Sequence, residues 1–440
     1  MMKPLTLCLL TCLAASGYAA NIANGASTNV FDIRDYGAKG DGQTFDTDAI
    51  QKAIDACGNS GGGTVRLSAG TYLSKPITLR AKMTFLLEAG ATLLASTNQQ
   101  DFMKTPGDWL AKGASFIPFI SGKDIDDVTI TGKGTIDGNG AVWWGEAEKA
   151  RQLVSGFTLP RPGLVVLTHC KNLRLSGIKL LNSPKFHFVP TDCDGVVVED
   201  VTIQAPAGAA NTDGIDPMAC RNVKITRCLI DTGDDNIAIK ASKTKIEGRE
   251  FATENIEVSD CTFLHGHGLS IGSEVVGGMR GLTVKNCRFD GTENGIRIKS
   301  RRGLGGVVED ISYSDITMTN VSPAMSFATY YQDSSQAKMP TNDVAQAMTN
   351  GTPIFRNITI KNVTAWSTNN AGLIVGLPES PVSNMVLENV HIHATRGGLT
   401  IMNAQGVQLK NVTVEVAKGE PFTVINSEVT GLPLAAAAPK

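Results

Sequence analysis

A nine-residue pattern of apolar and polar positions recurs along most of the chain. Apolar residues occupy its second, fourth and ninth positions. Successive clear copies begin 22 to 33 residues apart, with one gap of 47. A poorer copy begins at Asp127, and the clear copies begin at Asn172, Gly195, Asn222, Asn255, Gly281, Asp310, Asn357, Asn384 and Gly406. Self-similarity at this period is typical of solenoid proteins.

The composition of each unit predicts β-strands. Apolar and polar residues alternate, Val, Ile and Thr are frequent, and Gly, Asn and Asp interrupt the runs. The Leu-x-x-Leu-x-Leu frame of a leucine-rich repeat is absent. Units of this length accommodate three short strands and three turns. We therefore predict an all-β fold, a single-stranded right-handed parallel β-helix of roughly ten coils.

Equivalent residues in successive coils of such a helix stack about 4.8 Å apart. Cys228, Cys261 and Cys287 hold the seventh place of consecutive units, which predicts a ladder of interior thiols. The end of a solenoid also needs a cap. Residues 47–57 are predicted to form an N-terminal capping helix that begins at Asp46 or Thr47. Its apolar stripe consists of Ala49, Ile50, Ala53, Ile54 and Cys57.

The first residues of the chain predict export. Residues 1–19 combine Lys3, an apolar run and a small-x-small ending at Ala19, as in a secretory signal peptide. Residues 20–440 contain no linker and are interpreted as one β-helix catalytic domain. No other segment reaches the ~18 apolar residues of a membrane span, so we expect no membrane partner. We expect a secreted monomer, extracellular or, in a Gram-negative bacterium, periplasmic.

The charge and the cysteine content limit which partners and cofactors we expect. Forty basic and 42 acidic residues give a net charge of −2, which leaves no general footprint for nucleic acid. Seven cysteines follow the signal segment, so at least one thiol is free. A bridge between Cys220 and Cys228 remains open at this point. No Cys/His spacing suggests zinc, and we expect neither a metal nor a cofactor.

Four charged strings occupy the same place in the repeat: NTDGID, GDDNIAIK, GHGLSIG and ENGIRIK. They align on Ile215, Ile237, Leu269 and Ile296. Two positions earlier stand Asp213, Asp235, His267 and Asn294. One position later stand Asp216, Ala238, Ser270 and Arg297. Stacked coils would place these side chains on adjacent rungs of one surface.

The carboxylates Asp213, Asp234 and Asp235 are the candidate catalytic groups. A single Asp in a turn is usually structural, because Asp side chains bond the turn backbone. Three together differ, since like charges raise one pKa and disfavour full ionisation. We expect a coupled titration with one pKa above that of free Asp. Hydrolysis of a glycosidic bond uses such a set, with one carboxyl as proton donor and another to activate water or attack.

Basic residues flank these acids. His267 aligns with Asp235 between two glycines, and is either a turn residue or an imidazolium that tunes the acid. Arg297 and Lys299 alternate with inward isoleucines, and form either a solvated face or a clamp on an anionic substrate. Lys240 is the register equivalent of Lys299 and extends this positive lining. Two further basic features are interpreted as incidental, namely His265 and the Arg301-Arg302 run.

The strings NTD, GDD, GHG and RIK, in this order and spacing, resemble those of the polygalacturonases of glycoside hydrolase family 28. The resemblance extends over nearly the whole exported chain, including the N-terminal FDIRDYGAKGDGQTFDTDAIQKAIDAC. It implies the same β-helix and metal-free hydrolysis of α-1,4-galacturonosyl bonds in polygalacturonate or demethylated pectin. It also implies inversion at the anomeric carbon.

Roles follow from the resemblance position by position. Asp234 is implied as the general acid, with Asp213 and Asp235 holding the nucleophilic water. His267 is implied to support the acid. The implied substrate contacts are Arg297 and Lys299 with a galacturonate carboxylate, Asn211, and Tyr331 in preference to Tyr330.

The residues alone leave alternative functions open. A pectate lyase would need calcium carboxylates and an arginine base, which leaves His267 and Asp234 without a role. A non-catalytic glycan-binding β-helix would not need the stacked acids. Coils of 22 to 33 residues leave little room for walls that would close the groove, which favours endo-action over exo-action.

Overall fold

The computed structural model describes residues 29–111, 113–153, 159–331 and 342–433. The N-terminal part contains β1 (Val30–Asp32), β2 (Asp41–Phe45), α1 (Thr47–Asn59), β3 (Gly63–Leu67), β4 (Gly70–Ser74), β5 (Ile77–Thr78), β6 (Met83–Leu87), β7 (Ala91–Ala95), β8 (Ile120–Lys123), β9 (Asp126–Gly132), β10 (Thr135–Asp137), α2 (Ala141–Leu153), β11 (Val165–Thr168), β12 (Lys171–Ser176), β13 (Lys179–Leu181), β14 (Phe188–Thr191), β15 (Asp194–Glu199) and β16 (Thr202–Gln204). Short 3₁₀ turns cover Ile33–Tyr36 and Gln99–Phe102.

The remaining elements are all strands. They are β17 (Arg221–Thr226), β18 (Leu229–Asp231), β19 (Ile237–Ile239), β20 (Thr253–Ser259), β21 (Thr262–Leu264), β22 (Leu269–Gly272), β23 (Met279–Asp290), β24 (Ile296–Lys299), β25 (Val307–Val321), β26 (Met325–Ala328), β27 (Ile354–Ser367), β28 (Asn370–Val375), β29 (Val382–Ala394), β30 (Gly397–Met402), β31 (Ala404–Val416), β32 (Phe422–Ile425) and β33 (Val429–Thr430). Among the described residues, no helix is long and apolar enough to cross a membrane.

The strands form three parallel stacks, and each coil visits them in turn. In one coil, for example, β12 pairs with β15 of the next coil, and β13 pairs with β16. The third strand, β14, pairs with the next coil through an isolated bridge at Ile215. The third stack runs from β5 through β8, β11, β14, the Ile215 bridge and β19 to β32. Its described part has twelve rungs, close to the predicted ten or so. The chain is thus the predicted parallel β-helix.

Two left-handed residues in every repeat explain why the pattern is interrupted by Asn, Asp and Gly. The first residue has a positive φ in all ten copies, for example 54° at Asn222 and 74° at Gly281. The sixth residue does too, for example 56° at Asp260 and 52° at Asn286. Only Gly, Asn and Asp adopt this conformation readily, and Arg227 is an exception among the sixth residues. The first residue bends a strand from within, as Asn222 does in β17, and in the early coils the sixth residue lies between two strands, as Asp200 does between β15 and β16.

The interior is lined by the apolar positions of the pattern. Cys228, Cys261 and Cys287 form the predicted buried ladder. A second row of buried cysteines lies two residues before successive repeats, at Cys170, Cys193 and Cys220. All seven described cysteines are free thiols, so Cys220 and Cys228 form no bridge.

Helix α1 covers the N-terminal end, and its buried residues are the five predicted ones. Asp46 occupies the N-cap position, but its carboxylate accepts from the backbone of Lys39 and Gly40 instead of the helix. Helix α2 was not predicted, because Trp143 and Ala147 are the only buried residues among those of the helix whose side chains the structure describes. The Trp144 indole of α2 donates to the Ser183 carbonyl, which places this helix beside the third stack.

Candidate active site

The charged strings meet on the third stack in the predicted register. Ile215 pairs with Ile237, Ile237 with Leu269, and Leu269 with Ile296. Asp213, Asp235 and His267 therefore stand on three successive rungs. Because neighbouring strands lie about 4.8 Å apart, three rungs suffice to gather these groups around one small volume.

Asp234 is held between an amide and an imidazole. Its Oδ1 lies 3.0 Å from His267 Nδ1, and its Oδ2 accepts from Asn211 Nδ2 at 3.3 Å. The other ring nitrogen of His267 lies 3.1 Å from Glu293. Burial opposes charge on the His267 ring, but Asp234 and Glu293 outweigh it and raise its pKa to about 10. Burial raises the pKa of Asp234, yet this imidazolium brings the net pKa below the ordinary value.

Asp235 is the most heavily paired acid of the site. Its Oδ1 accepts from Ser270 at 2.9 Å and from Arg297, and its Oδ2 accepts from Lys299 at 2.7 Å. Burial works against ionisation here, but Lys299 and Arg297 hold the pKa of Asp235 well below its usual range. Its two cationic partners therefore favour the carboxylate form of Asp235.

Asp213 has the opposite environment. It is buried, its nearest cation is Lys240 at 3.9 Å, and its Oδ1 has no described partner. Burial, followed by repulsion from Asp216 and Asp234, raises the pKa of Asp213 well above its ordinary value. This is the one raised pKa that was expected within the carboxylate set. Lys240 pairs more closely with Asp216, at 2.7 Å.

Arg161 fixes the orientation of Asn211. It is buried and donates to the carbonyls of Leu159, Pro184 and Ala210 and, at 2.8 Å, to Asn211 Oδ1. A guanidinium can only donate, so the Asn211 oxygen must face it and the amide nitrogen must face Asp234. Burial lowers the pKa of Arg161 to about 10, which leaves it charged.

The remaining predicted residues separate into those at the site and those away from it. Tyr331 lies at the site, with its ring centroid 5.4 Å from Lys299 Nζ. The Tyr330 hydroxyl instead donates to Asp343. His265 is exposed and pairs with Asp231, as expected of an incidental residue. Arg302 was wrongly interpreted as ordinary loop charge, since it pairs with both Glu379 and Asp343 in a partly buried network.

The donor atoms of Asp234, Asp235 and His267 lie within 4.8 Å of one another, close enough to reach one metal ion. The charges of this set suit a metal poorly. Asp235 already binds Arg297 and Lys299, and His267 is an imidazolium that has no free lone pair. The same atoms suit proton transfer better.

The sequence signature of the glycosyl hydrolases family 28 matches residues 57–418. An endo-polygalacturonase of Pectobacterium carotovorum subsp. carotovorum is 35% identical over 385 residues, which cover 84% of this chain and 87% of that protein. The chain belongs to this family. The resemblance noted from the sequence is thus confirmed.

Solved structures of family 28 proteins have the same fold. The polygalacturonase from Erwinia carotovora ssp. carotovora superimposes with a TM-score of 0.68 and 32% identity, covering 92% of this chain and 97% of that one. The family 28 exopolygalacturonase of Yersinia enterocolitica superimposes with a TM-score of 0.78 and 25% identity, covering 93% and 80%. The fold is therefore shared by structures described as a polygalacturonase and as an exopolygalacturonase.

Three site residues escaped the sequence analysis. Glu293 stands three residues before Ile296, as Asp234 stands three before Ile237, so the same alignment contained the signal. Asp216 was aligned but given no role, although it pairs with Lys240. Arg161 carries no repeat signal, because it lies in an irregular segment fifty positions before Asn211.

Proposed function

We propose that this protein is a secreted polygalacturonase that hydrolyses α-1,4-galacturonosyl bonds with inversion. Family membership and the names of its relatives support the substrate class. The observation that carries the chemistry is the division of labour among three neighbouring acids. Against the effect of burial, Lys299 and Arg297 hold the pKa of Asp235 well below its usual range and His267 lowers the pKa of Asp234, whereas burial raises the pKa of Asp213 well above its ordinary value.

Asp234 is the proposed general acid. In the free protein the His267 imidazolium favours its ionised form. An anionic substrate that excludes water reverses this balance, because desolvation and a neighbouring carboxylate both raise the pKa of an acid. Asp234 would thus take up its proton as the galacturonate binds, and donate it to the leaving oxygen. Asn211, oriented by Arg161, positions the carboxyl group.

Asp235 and Asp213 are proposed to hold the attacking water. Asp235 supplies a fixed negative charge, and the unpartnered Asp213 Oδ1 offers a hydrogen-bonding position. In an inverting enzyme this water attacks the anomeric carbon from the face opposite to the acid, and its proton passes to the Asp213–Asp235 pair as the glycosidic bond breaks. Arg297, Lys299 and Tyr331 lie next to Asp235 and are proposed to contact the substrate, sharing the two cations between Asp235 and a uronate carboxylate.

Endo-action, a single catalytic domain over residues 20–440, the monomeric state and export by residues 1–19 complete the proposal. The 35% identical endo-polygalacturonase supports endo-action. The residues of the signal segment lie outside the described part of the chain.

The test is hydrolysis of demethylated polygalacturonate by the purified protein. We expect reducing ends without ultraviolet-absorbing unsaturated products, a broad range of early product sizes, and an inverted anomer by proton NMR. Highly methyl-esterified pectin should be cut at least about tenfold more slowly, since an ester cannot form the charge-assisted hydrogen bonds to Arg297 and Lys299. Early release of a single small product would show exo-action, and equal rates on both polymers would contradict the carboxylate contacts.

A further inference from the structure

Cations flank the proposed acid on both sides along the third stack. Phe188 pairs with Ile215 and Ile215 with Ile237, so Lys185 stands two rungs before Asp234 in the same line. Arg297 stands two rungs beyond Asp235. Two rungs correspond to roughly 10 Å. A polymer lying across the coils would therefore pass a basic residue before and after the acids.

The basic residues on the two sides of the acids differ in whether they are already paired with a carboxylate. Arg297 and Lys299 are both bonded to Asp235, and Lys240 is bonded to Asp216. Lys185 forms no ion pair with any carboxylate that the structure describes. Arg161, which also lacks an acidic partner among the described residues, is buried and directs its described hydrogen bonds to carbonyls and Asn211. Lys185 is thus the basic side chain of this surface that is free to take a new anion.

The position of Lys185 is not that of an ordinary solvated lysine. Its ammonium lies 4.6 Å from the centroid of the Phe186 ring, and so does that of Lys240. Phe186 itself precedes Asp213 by one rung. Burial, followed by repulsion from Arg161 and Lys240, lowers the pKa of Lys185, although the charges of Asp213 and Asp216 act in the opposite direction. A partly buried cation beside other cations is costly to the fold, and an arriving carboxylate removes that cost.

We propose that Lys185, held by Phe186, binds the carboxylate of a galacturonate unit on the side of the acids opposite to Arg297. This inference rests on the proposed function, because it requires a polyuronate in the groove. It divides substrate recognition between two environments. On one side of the acids, Arg297 and Lys299 are already paired with Asp235. On the other side, Lys185 has no carboxylate partner among the described residues.

The experiment compares Lys185→Met and Lys185→Arg with the wild type and with Lys179→Met. Lys179 is exposed on β13, away from the third stack, so its substitution removes the same charge without touching the groove. We expect KM for polygalacturonate to rise about tenfold or more in Lys185→Met, the usual loss for a charge-assisted hydrogen bond, with kcat little changed. Lys185→Arg should retain most of the affinity, and Lys179→Met should match the wild type.

Equilibrium binding separates this inference from the proposed function. The Kd of trigalacturonate for an Asp234→Asn protein should rise about tenfold when Lys185→Met is added. An unchanged KM and Kd in Lys185→Met would overturn the Lys185 site and leave the polygalacturonase proposal standing. An unchanged KM with a displaced pH–rate profile would also overturn it, by showing that Lys185 acts on the acids. A wild-type protein that releases no reducing ends from polygalacturonate would reject both proposals.

Discussion

The third stack uses one backbone design along its length, but only some of its rungs carry charge. On the rungs of Ile237, Leu269 and Ile296 the outward positions include Asp235, His267, Arg297 and Lys299. On the rungs of β26, β28, β30 and β32, the same outward positions are filled by Pro323, Ser326, Ala328, Asn370, Leu373, Val375, Gly397, Thr400, Met402, Glu420, Thr423 and Ile425. Eleven of these twelve residues are uncharged, so the fold does not require charge at these places.

A second contrast concerns the ion pairs themselves. The pair of Arg227 with Asp200 lies on the surface, with about half of each side chain exposed. The pairs of Asp235 with Arg297 and Lys299 are almost fully buried. Exposed pairs contribute little to stability, whereas removal of one member of a buried pair leaves an uncompensated charge. The active site is thus the place where charge substitutions should affect both rate and folding.

The largest expected effect separates catalysis from the scaffold. Asp234→Asn should lower kcat for polygalacturonate roughly 10²–10⁴-fold, because the amide cannot donate the proton. The matched control is Glu420→Gln, an exposed acid on a distant rung of the same stack, that of β32. It should change neither kcat nor the urea midpoint. Near-normal turnover in Asp234→Asn would remove the acid role from this residue.

The next effect sharpens the contrast between buried and exposed pairs. Asp235→Asn should reduce the free energy of unfolding by about 3 kcal/mol, since Arg297 and Lys299 lose their counter-ion. Asp200→Asn should cost roughly 0.2–1 kcal/mol, and Asn tolerates the left-handed backbone at that position. Urea denaturation of both variants provides the measurement. Equal losses would mean that burial does not distinguish the two sites.

A smaller effect is expected from the residue that orients Asn211. Arg161→Met should lower kcat about tenfold, because the Asn211 amide is then free to turn away from Asp234. If Arg161 had a purely structural role, Arg161→Met would lower kcat by the same factor whether residue 211 is Asn or Ala. In an Asn211→Ala protein, however, we expect Arg161→Met to have almost no further effect on kcat. Full additivity of the two substitutions would contradict the positioning role.

The smallest expected change is a displacement of the pH profile. The acid must be protonated, so kcat/KM should fall as the pH rises through the pKa of Asp234 in the free protein. The His267 imidazolium keeps this pKa low, and His267→Gln should move the fall to higher pH. The control His265→Gln removes an exposed imidazole and should leave the profile in place. A fall displaced to lower pH in His267→Gln would show that His267 does not stabilise the Asp234 carboxylate.

The sequence predicted those features that follow from stacking. Strands that stack one to one preserve register, so aligning Ile215, Ile237, Leu269 and Ile296 was enough to bring Asp213, Asp235 and His267 together. The apolar stripe of α1 was predictable because the apolar residues at helical spacing are the ones that the fold buries. Glu293 could have been found by the same alignment.

What escaped prediction depends on irregular backbone or on the direction of long side chains. Arg161 follows a segment without repeats and reaches the site through its length. The outward direction of Lys299 was correct, but its choice of Asp235 as partner depends on distances of an ångström or two. A repeat pattern specifies which face a residue occupies, and leaves open which neighbour it contacts.

The left-handed residues that open each repeat have a consequence for protein engineering. Asn357 and Asn384 occupy the same backbone conformation, 56° and 54° in φ, one coil apart. Excising residues 357–383 would join Arg356 to Asn384, which has the same backbone conformation as the Asn357 that it replaces. The junction would lie beyond the rungs of the candidate active site. The chain is in this sense modular, and we expect the groove, whose rungs lie in the middle of the third stack, to keep its shape when this later coil is removed.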